Sequence, residues 1–281
     1  MLREAVDLNC DMGEGMSTDA AIFPFISSSN IACGGHAGDA DTMRRTVELA
    51  LRHGVAIGAH PSYPDRVNFG RIDILDRPLR RVDLPGLIYE QLHRLQSICR
   101  EFGTRMRHVK PHGALYNRAA RDADVSALIV RAVVDLDPSL LLFGLSGGET
   151  QQIAGESGLR FISEVFADRT YQPDGSLTPR SEPGALIEDP ARAVAQVLRM
   201  VQEGRVETVG GSRSAAGDGR ARSGGEERAG DGRAGEPGED TVAIRAETIC
   251  LHGDGSHAVE FAGLIHGALT GKGIRIAAPG R

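Results

Sequence analysis

The 281-residue chain is 41% hydrophobic and 25% charged, ordinary values for a globular protein, and it is long enough to bury a large α/β core. Its net charge of −6, with no basic stripe, argues against nucleic acid or an acidic membrane as partner. Aromatic residues make up 4% and Trp is absent, which argues against a platform for stacked bases or sugars.

Met1 is followed almost at once by strand-like sequence, without the basic and apolar regions of a signal peptide, so a cytoplasmic protein is expected. Val6 to Asp11 alternates, placing Asp7, Asn9 and Asp11 on one side of a first strand. Three polar side chains on one strand face are costly in a core unless paired or bound to a ligand, which marks a site. Met12-Gly13-Glu14-Gly15 turns the chain. Residues 20–38 hold no Asp, Glu, Lys or Arg but are rich in Ser, Asn and Gly, so they are no membrane span. Ile31-Ala32-Cys33 reads as a second strand, ending in Gly34-Gly35-His36-Ala37-Gly38-Asp39, whose glycines permit close backbone approach to a ligand. A helix with Met43, Val47, Ala50 and Leu51 on one face stops near Gly54. Val55 to Ala59 is a third strand and leads into His60-Pro61-Ser62-Tyr63. After a long loop, Asp83 caps a helix with Leu84, Ile88, Leu92, Leu95 and Ile98 in one stripe, closed by Gly103.

The run from Met106 to Val109 is a fourth strand, which delivers Lys110, His112 and Tyr116 into a turn broken by Pro111 and Gly113. Val125, Ile129, Ala132 and Val133 mark the next helix, Leu140 to Leu145 a fifth strand, and Phe161 to Phe166 a sixth that ends in Asp168, Arg169 and Tyr171. The loop beyond holds Arg180, and Asp189-Pro190 opens a helix with its cap and first-turn proline in place. Residues 204–240 are Gly, Arg, Ser, Ala, Asp and Glu with almost no large apolar side chains, the composition of a disordered insertion. Thr248 to Leu251 is a seventh strand, ending in His252-Gly253-Asp254, and a last helix and a short strand over Gly273 to Ala277 finish the chain.

Alternation of strands and helices implies a parallel sheet. Polar side chains at the C-terminal ends of many different strands imply a closed barrel with one shared mouth, in a single domain over residues 1–281, rather than a doubly wound sheet with one switch point. The mouth would hold Asp7, Asn9, Asp11, Glu14, His36, Asp39, His60, Lys110, His112, Glu164, Asp168, Arg169, His252 and Asp254. Carboxylates with imidazoles suit a divalent cation or acid–base chemistry, and Lys110, Arg169 and Arg180 would offset the charge of a phosphate or carboxylate. His53, His93 and His108 lie on helices or before a strand and receive no role. Cys10, Cys33, Cys99 and Cys250 form no C-x-x-C and read as small buried thiols. No Walker A sequence and no strand-borne G-x-G-x-x-G is present, and Gly271-Lys272-Gly273 reads as a helix end.

The series DLNCDMGEG, NIACGGHAGD, GAHPSYPDR, VKPHGALYN, FADRTYQPDGSLTPR and HGD resembles the LamB/YcsF family of 5-oxoprolinase A subunits, in family order from residue 7 to residue 254. The resemblance implies a distorted (β/α)7 TIM-like barrel of the glycoside hydrolase/deacetylase type. It also implies ATP-dependent opening of 5-oxo-L-proline to L-glutamate, with ATP and Mg²⁺ as cofactors and subunits B and C as partners. On that reading Lys110 and Arg169 take phosphate charge and Asp11 with Glu14 serves Mg²⁺-ATP. His60 or His112 handles the attacking water, and Asp168 completes the catalytic set. Asn9, His36, Asp39, Tyr116, Arg180, His252 and Asp254 would bind substrate or phosphate. Related barrel deacetylases suggest an alternative, a metal-dependent hydrolase with a resident divalent metal on Asp11, His60 and His112. A non-catalytic binding subunit is the third reading.

Overall fold

Strand β1 (Ala5–Met12) organises the molecule, and every residue from Val6 to Met12 is buried. The computed structural model describes residues 4–75, 83–209, 241–253, 255 and 257–280. After β1 come the short helix α1 (Asp19–Ile22), a 3-10 turn (Phe23–Phe25), β2 (Ser28–Ala32), α2 (Ala40–His53), β3 (Ala56–His60) and α3 (Leu84–Glu101). Then follow β4 (His108–Val109), α4 (Gly113–Ala119), α5 (Ala123–Leu136), β5 (Leu141–Leu145), α6 (Glu149–Glu156) and β6 (Phe161–Phe166). The chain continues through α7 (Pro190–Glu203), β7 (Arg205–Glu207), β8 (Thr241–Ala243), β9 (Thr248–Leu251), α8 (Ala258–Gly271) and β10 (Arg275–Ile276).

Strands β1, β2, β3, β4, β5, β6 and β9 pair in that order, all parallel, and β9 closes on β1 with Asp7 opposite Thr248 and Asn9 opposite Cys250. The fold is a distorted (β/α)7 barrel. Strand β10 adds a parallel pairing at the start of β1, where Ala5 faces Arg275. The expected helices form with the expected caps: Asp83 accepts from Gly86 N, and Asp189 accepts from Ala191 N with Pro190 in the first turn. Gly54 and Gly204 end α2 and α7 in the left-handed conformation that costs glycine least.

Several boundaries differ from the sequence reading; β4 starts at His108 rather than Met106, and β10 spans Arg275–Ile276 rather than Gly273 to Ala277. Strand β2 starts at Ser28, not Ile31, because Ser28 and Asn30 point to a polar barrel interior that accepts them. At the edge of the expected 204–240 insertion, Arg205–Glu207 pairs antiparallel with Thr241–Ala243, and residues 210–240 lie outside the described residues. Among the described residues no helix is long and apolar enough to cross a membrane.

The apolar core lies mainly between barrel and helices. Leu8, Cys10 and Met12 of β1 join Met43, Val47, Ile88, Leu92, Ile129 and Ile265 there, and each such large side chain contributes about 1.5–3 kcal/mol on burial. The barrel interior is different. One side holds the small apolar cluster Leu141, Phe143 and Ile162, and the rest is polar.

Candidate active site at the barrel mouth

At the bottom of the polar interior, Ser27 and Ser28 hydroxyls donate to Asp7 Oδ1 (2.6 and 2.8 Å) and Thr248 donates to Asp7 Oδ2 (2.6 Å). Burial still outweighs these donors and pushes the Asp7 carboxyl up to about 6. One layer higher, Asn9 Nδ2 donates to Thr248 Oγ1 (2.7 Å) and Glu164 Oε1 (2.9 Å), while Asn30 Nδ2 donates to Asn9 Oδ1 (2.7 Å) and Asp11 Oδ1 (2.8 Å). His108 Nε2 donates to Asn30 Oδ1 (2.8 Å) and its ring stacks on Phe143. Burial, with Lys110 nearby, pushes His108 down to about 3, so it is a neutral member of this network.

Lys110 crosses the barrel. Its ammonium reaches Asp11 Oδ1 (2.9 Å), Glu164 Oε1 (3.1 Å), Cys250 Sγ (3.0 Å) and Asn9 Oδ1 (3.3 Å). Burial alone would lower its pKa, but the Asp11, Cys250 and Glu164 groups raise it well above the usual value, so Lys110 is a fixed cation. Burial would likewise raise Asp11, yet His60 and Lys110 hold its carboxyl well below the usual range. Burial lifts the Cys250 thiol far above its ordinary value, which removes it as a thiolate nucleophile.

Above this layer stand the strand-exit histidines. Glu14 Oε1 lies 2.7 Å from His36 Nε2, 3.5 Å from His112 Nδ1 and 3.8 Å from His60 Nε2. His60 Nε2 and His112 Nδ1 are 2.9 Å apart, and the His36 and His112 rings stack at 3.7 Å. The loop carrying Phe69 supports them: Phe69 has φ 55°, an uncommon conformation for a non-glycine residue, and its carbonyl accepts from His112 Nε2 at 2.9 Å. Gly113, φ 56°, must be glycine, because a Cβ there would stand 2.6 Å from the Gly70 carbonyl oxygen.

On the opposite wall, Asp168 accepts from His252 N (3.1 Å) and Nδ1 (2.9 Å), and the His252 ring stacks on Phe166. Burial would raise Asp168, but His252 and Arg180 lower it. Arg169, buried, donates to the carbonyls of Ala185 (3.3 Å) and Thr178 (2.5 Å), and burial with neighbouring Arg180 pushes it down to about 10. Tyr116 is buried beside Glu164, and burial together with that carboxylate raises its phenol well above the ordinary value. The mouth encloses a cavity of about 460 Å³ lined by Asp11, Glu14, His60, Lys110, His112, Tyr116, Arg169, Arg180 and His252.

Several expectations need correction. Asp39 does not line this cavity; it is exposed and caps α2 by accepting from Thr42 N. Asn9 lies beneath the mouth, tied into the interior network. Asp11 pairs with Lys110, and Glu14 faces three imidazoles, a donor set unlike the oxygen ligands Mg²⁺ takes. The expected metal set stays adjacent, with Asp11 Oδ2 3.2 Å from His60 Nε2 and His60 Nε2 2.9 Å from His112 Nδ1, and His60 and His112 also come together with Glu14 and His36 in a group that could hold a divalent metal. Both nitrogens of His60 and of His112 have protein neighbours, and both residues line the cavity. Asp254 lies outside the described residues. Asn30 and His108 were not anticipated; the strand pairing puts Asn30 opposite Asp11, from where its amide also reaches Asn9.

A LamB/YcsF family profile matches residues 6–217 and 230–281. The chain belongs to the LamB/YcsF family. A curated relative in this family, the 5-oxoprolinase A subunit of Geobacillus thermodenitrificans (strain NG80-2), is 46% identical over 279 residues, covering 98% of this chain and 97% of that protein. The crystal structure of the lactam utilization protein from Thermus thermophilus is 37% identical and superposes with a TM-score of 0.80, covering 98% of this chain and 99% of that one. The LamB/YcsF profile skips residues 218–229, inside the segment whose composition breaks the barrel pattern.

Proposed function

We propose that this LamB/YcsF chain is the A subunit of an ATP-dependent 5-oxoprolinase, opening 5-oxo-L-proline to L-glutamate together with subunits B and C. The observation that carries this reading is the near full-length identity to a protein named as the A subunit of 5-oxoprolinase. The mouth supports it: about 460 Å³ falls in the range of small-molecule sites, and Arg169 and Arg180 line the cavity, where their charge would offset the carboxylate of 5-oxoproline.

A lactam carbon is a poor electrophile and its nitrogen a poor leaving group. Transfer of the γ-phosphoryl group of Mg²⁺-ATP to the lactam oxygen would activate the ring carbon toward water, and such chemistry needs alignment and charge neutralisation more than a covalent nucleophile. The thiols of this chain fit that requirement, since Cys250 is held protonated. In our reading His252 deprotonates the attacking water. Asp168 accepts its Nδ1–H and so leaves the Nε2 lone pair to the cavity. Lys110 holds Asp11 and Glu164 in place beneath it.

The test is phosphate and glutamate release from Mg²⁺-ATP and 5-oxoproline by the purified chain, alone and with subunits B and C. Glutamate formation that requires ATP and this chain supports the proposal; glutamate formation by B and C alone refutes it. A second reading, metal-dependent hydrolysis without ATP, is favoured by the Glu14, His36, His60 and His112 set, and glutamate formation in the absence of ATP would select it.

A further inference from the structure

We infer that Tyr116 and Glu164 form the subsite for the ring amide of the substrate, the phenol donating to the lactam carbonyl and Glu164 Oε2 accepting the lactam N–H. The inference rests on the lactam reading and goes beyond it by fixing which way the ring sits. It starts from two polar atoms with no bond to make inside the protein. Glu164, fully buried on β6, accepts from Asn9 Nδ2 (2.9 Å) and faces the Lys110 ammonium (3.1 Å), and both contacts fall on Oε1. Its second oxygen, Oε2, makes no hydrogen bond, and neither does the hydroxyl of Tyr116, a residue only 6% exposed. Buried side-chain polar atoms are partnered in the large majority of cases, so two orphans side by side mark a place where something else completes the set.

Strand β6 explains the juxtaposition. Glu164 and Phe166 are two residues apart and point to the same side of the strand, and the Phe166 ring meets the Tyr116 ring edge-on at 5.7 Å. The phenol is thereby seated close to the Glu164 carboxylate, which after burial is the main cause of its raised pKa. Held protonated, the phenol is a hydrogen-bond donor, whereas a carboxylate oxygen only accepts. One donor therefore stands beside one acceptor. Tyr116 and Phe166 line the mouth cavity, and Glu164 stands behind them.

That pair selects its ligand by chemistry. An open-chain trans amide turns its N–H and C=O to opposite sides, whereas a five-membered lactam is a planar cis amide and presents both on one edge. A carboxylate or a phosphate offers acceptors alone and would set like charge against Oε2. The substrate's carboxylate therefore belongs with Arg169 and Arg180, which line the same cavity. Both orphan atoms are covered by protein, so the amide edge enters as the phenol turns away from Oε2, a rotamer change of the kind common on binding.

The test uses the chain assembled with subunits B and C. It reads the Michaelis constant for 5-oxoproline and the inhibition constant of its cyclopentanone analogue, which keeps the ring, carbonyl and carboxylate but has CH₂ in place of N–H. In the wild type the ketone should bind at least about tenfold more weakly than 5-oxoproline, because it leaves Oε2 unpaired. Glu164→Gln replaces the acceptor by an amide and should shrink that ratio to within about threefold, through weaker binding of 5-oxoproline and not of the ketone. Tyr116→Phe removes the donor common to both ligands and should weaken both by about tenfold with their ratio kept. A purely structural role would weaken both ligands together in Glu164→Gln as well. The wild-type ratio needs no variant, so the test stands even if Glu164→Gln does not fold. A wild-type ratio below about tenfold, a Glu164→Gln enzyme that keeps the wild-type ratio, or a Tyr116→Phe enzyme with both constants unchanged overturns the inference. No glutamate from the wild-type assembly refutes the lactam reading itself.

Discussion

Replacing Lys110 by methionine tests whether the barrel interior is held by charge. The ammonium lies 2.9 Å from Asp11 Oδ1 and 3.1 Å from Glu164 Oε1, and the three side chains are buried. At an effective dielectric near 20, each pair at about 3 Å is worth roughly 5 kcal/mol before desolvation, which offsets much of it in the intact site. Lys110→Met keeps most of the stem's volume but leaves two carboxylates facing each other without a cation, so the expected loss is about 3–5 kcal/mol. Adding Glu164→Gln removes one of the stranded charges while keeping an acceptor for Asn9 Nδ2. The double variant should therefore recover about 1–3 kcal/mol relative to Lys110→Met, a coupling typical of residues in one buried network. Urea midpoints of the wild type, both single variants and the double variant complete the cycle. A Lys110→Met loss under about 1 kcal/mol, or additive effects of the two changes, would refute the view that this cation neutralises the interior.

Asp7 should make stability depend on pH. Its folded carboxyl lies at about 6 against a usual 3.8, so the folded chain takes up its proton first. The resulting contribution is complete well below 3.8 and lost as pH rises through 6, worth about 2 kcal/mol between pH 4 and pH 7. The stability difference between wild type and Asp7→Asn should shift by that amount in favour of wild type on acidification; a flat difference across pH 4–7 contradicts it. Cys250→Ser should retain glutamate-forming activity within about tenfold in the assembled enzyme, because the thiol is held protonated; a loss beyond about 10³-fold would mean that sulfur takes part in the chemistry. At Gly58, an added Cβ would overlap the His108 ring, itself stacked on Phe143 and bonded to Asn30. Gly58→Ala should cost roughly 1–3 kcal/mol in chemical denaturation, and an unchanged midpoint would mean that the ring has room to move.

Much of the barrel could be read from the chain because its grammar is local. The alternation around Asp7, Asn9 and Asp11 identified the inward face of β1, and Asp83, Asp189 and Pro190 marked helix starts that the structure retains. The strand-exit positions of His36, His60, His112 and His252 were legible for the same reason. Which of them meet was not, because Glu14 and His36 arrive from loops and their grouping depends on the left-handed turn at Phe69 and Gly70. Asp39 shows the opposite limit: it follows the glycine loop like a ligand residue, yet the first turn of α2 uses its carboxylate. His108 received no role in the sequence reading, although it lies in β4 and, inside the barrel, its ring faces Asn30. Its role depends on a polar interior, which hydrophobic patterning does not anticipate.

The bond from Thr248 to Asp7 joins side chains 241 residues apart in the chain. Until β9 has been synthesised and docked, a growing chain holds β1 with the partners of Asp7 and Asn9 missing on one side. An open-sided intermediate must therefore hydrate these groups, which keeps water in the lumen and withholds the dry environment that strengthens hydrogen bonds. The last barrel strand thus acts as the step that commits the whole lumen at once. Translation order and the slow search for so distant a pairing set the timing of maturation, and a C-terminally shortened chain would be left as an open, water-filled trough rather than a smaller barrel.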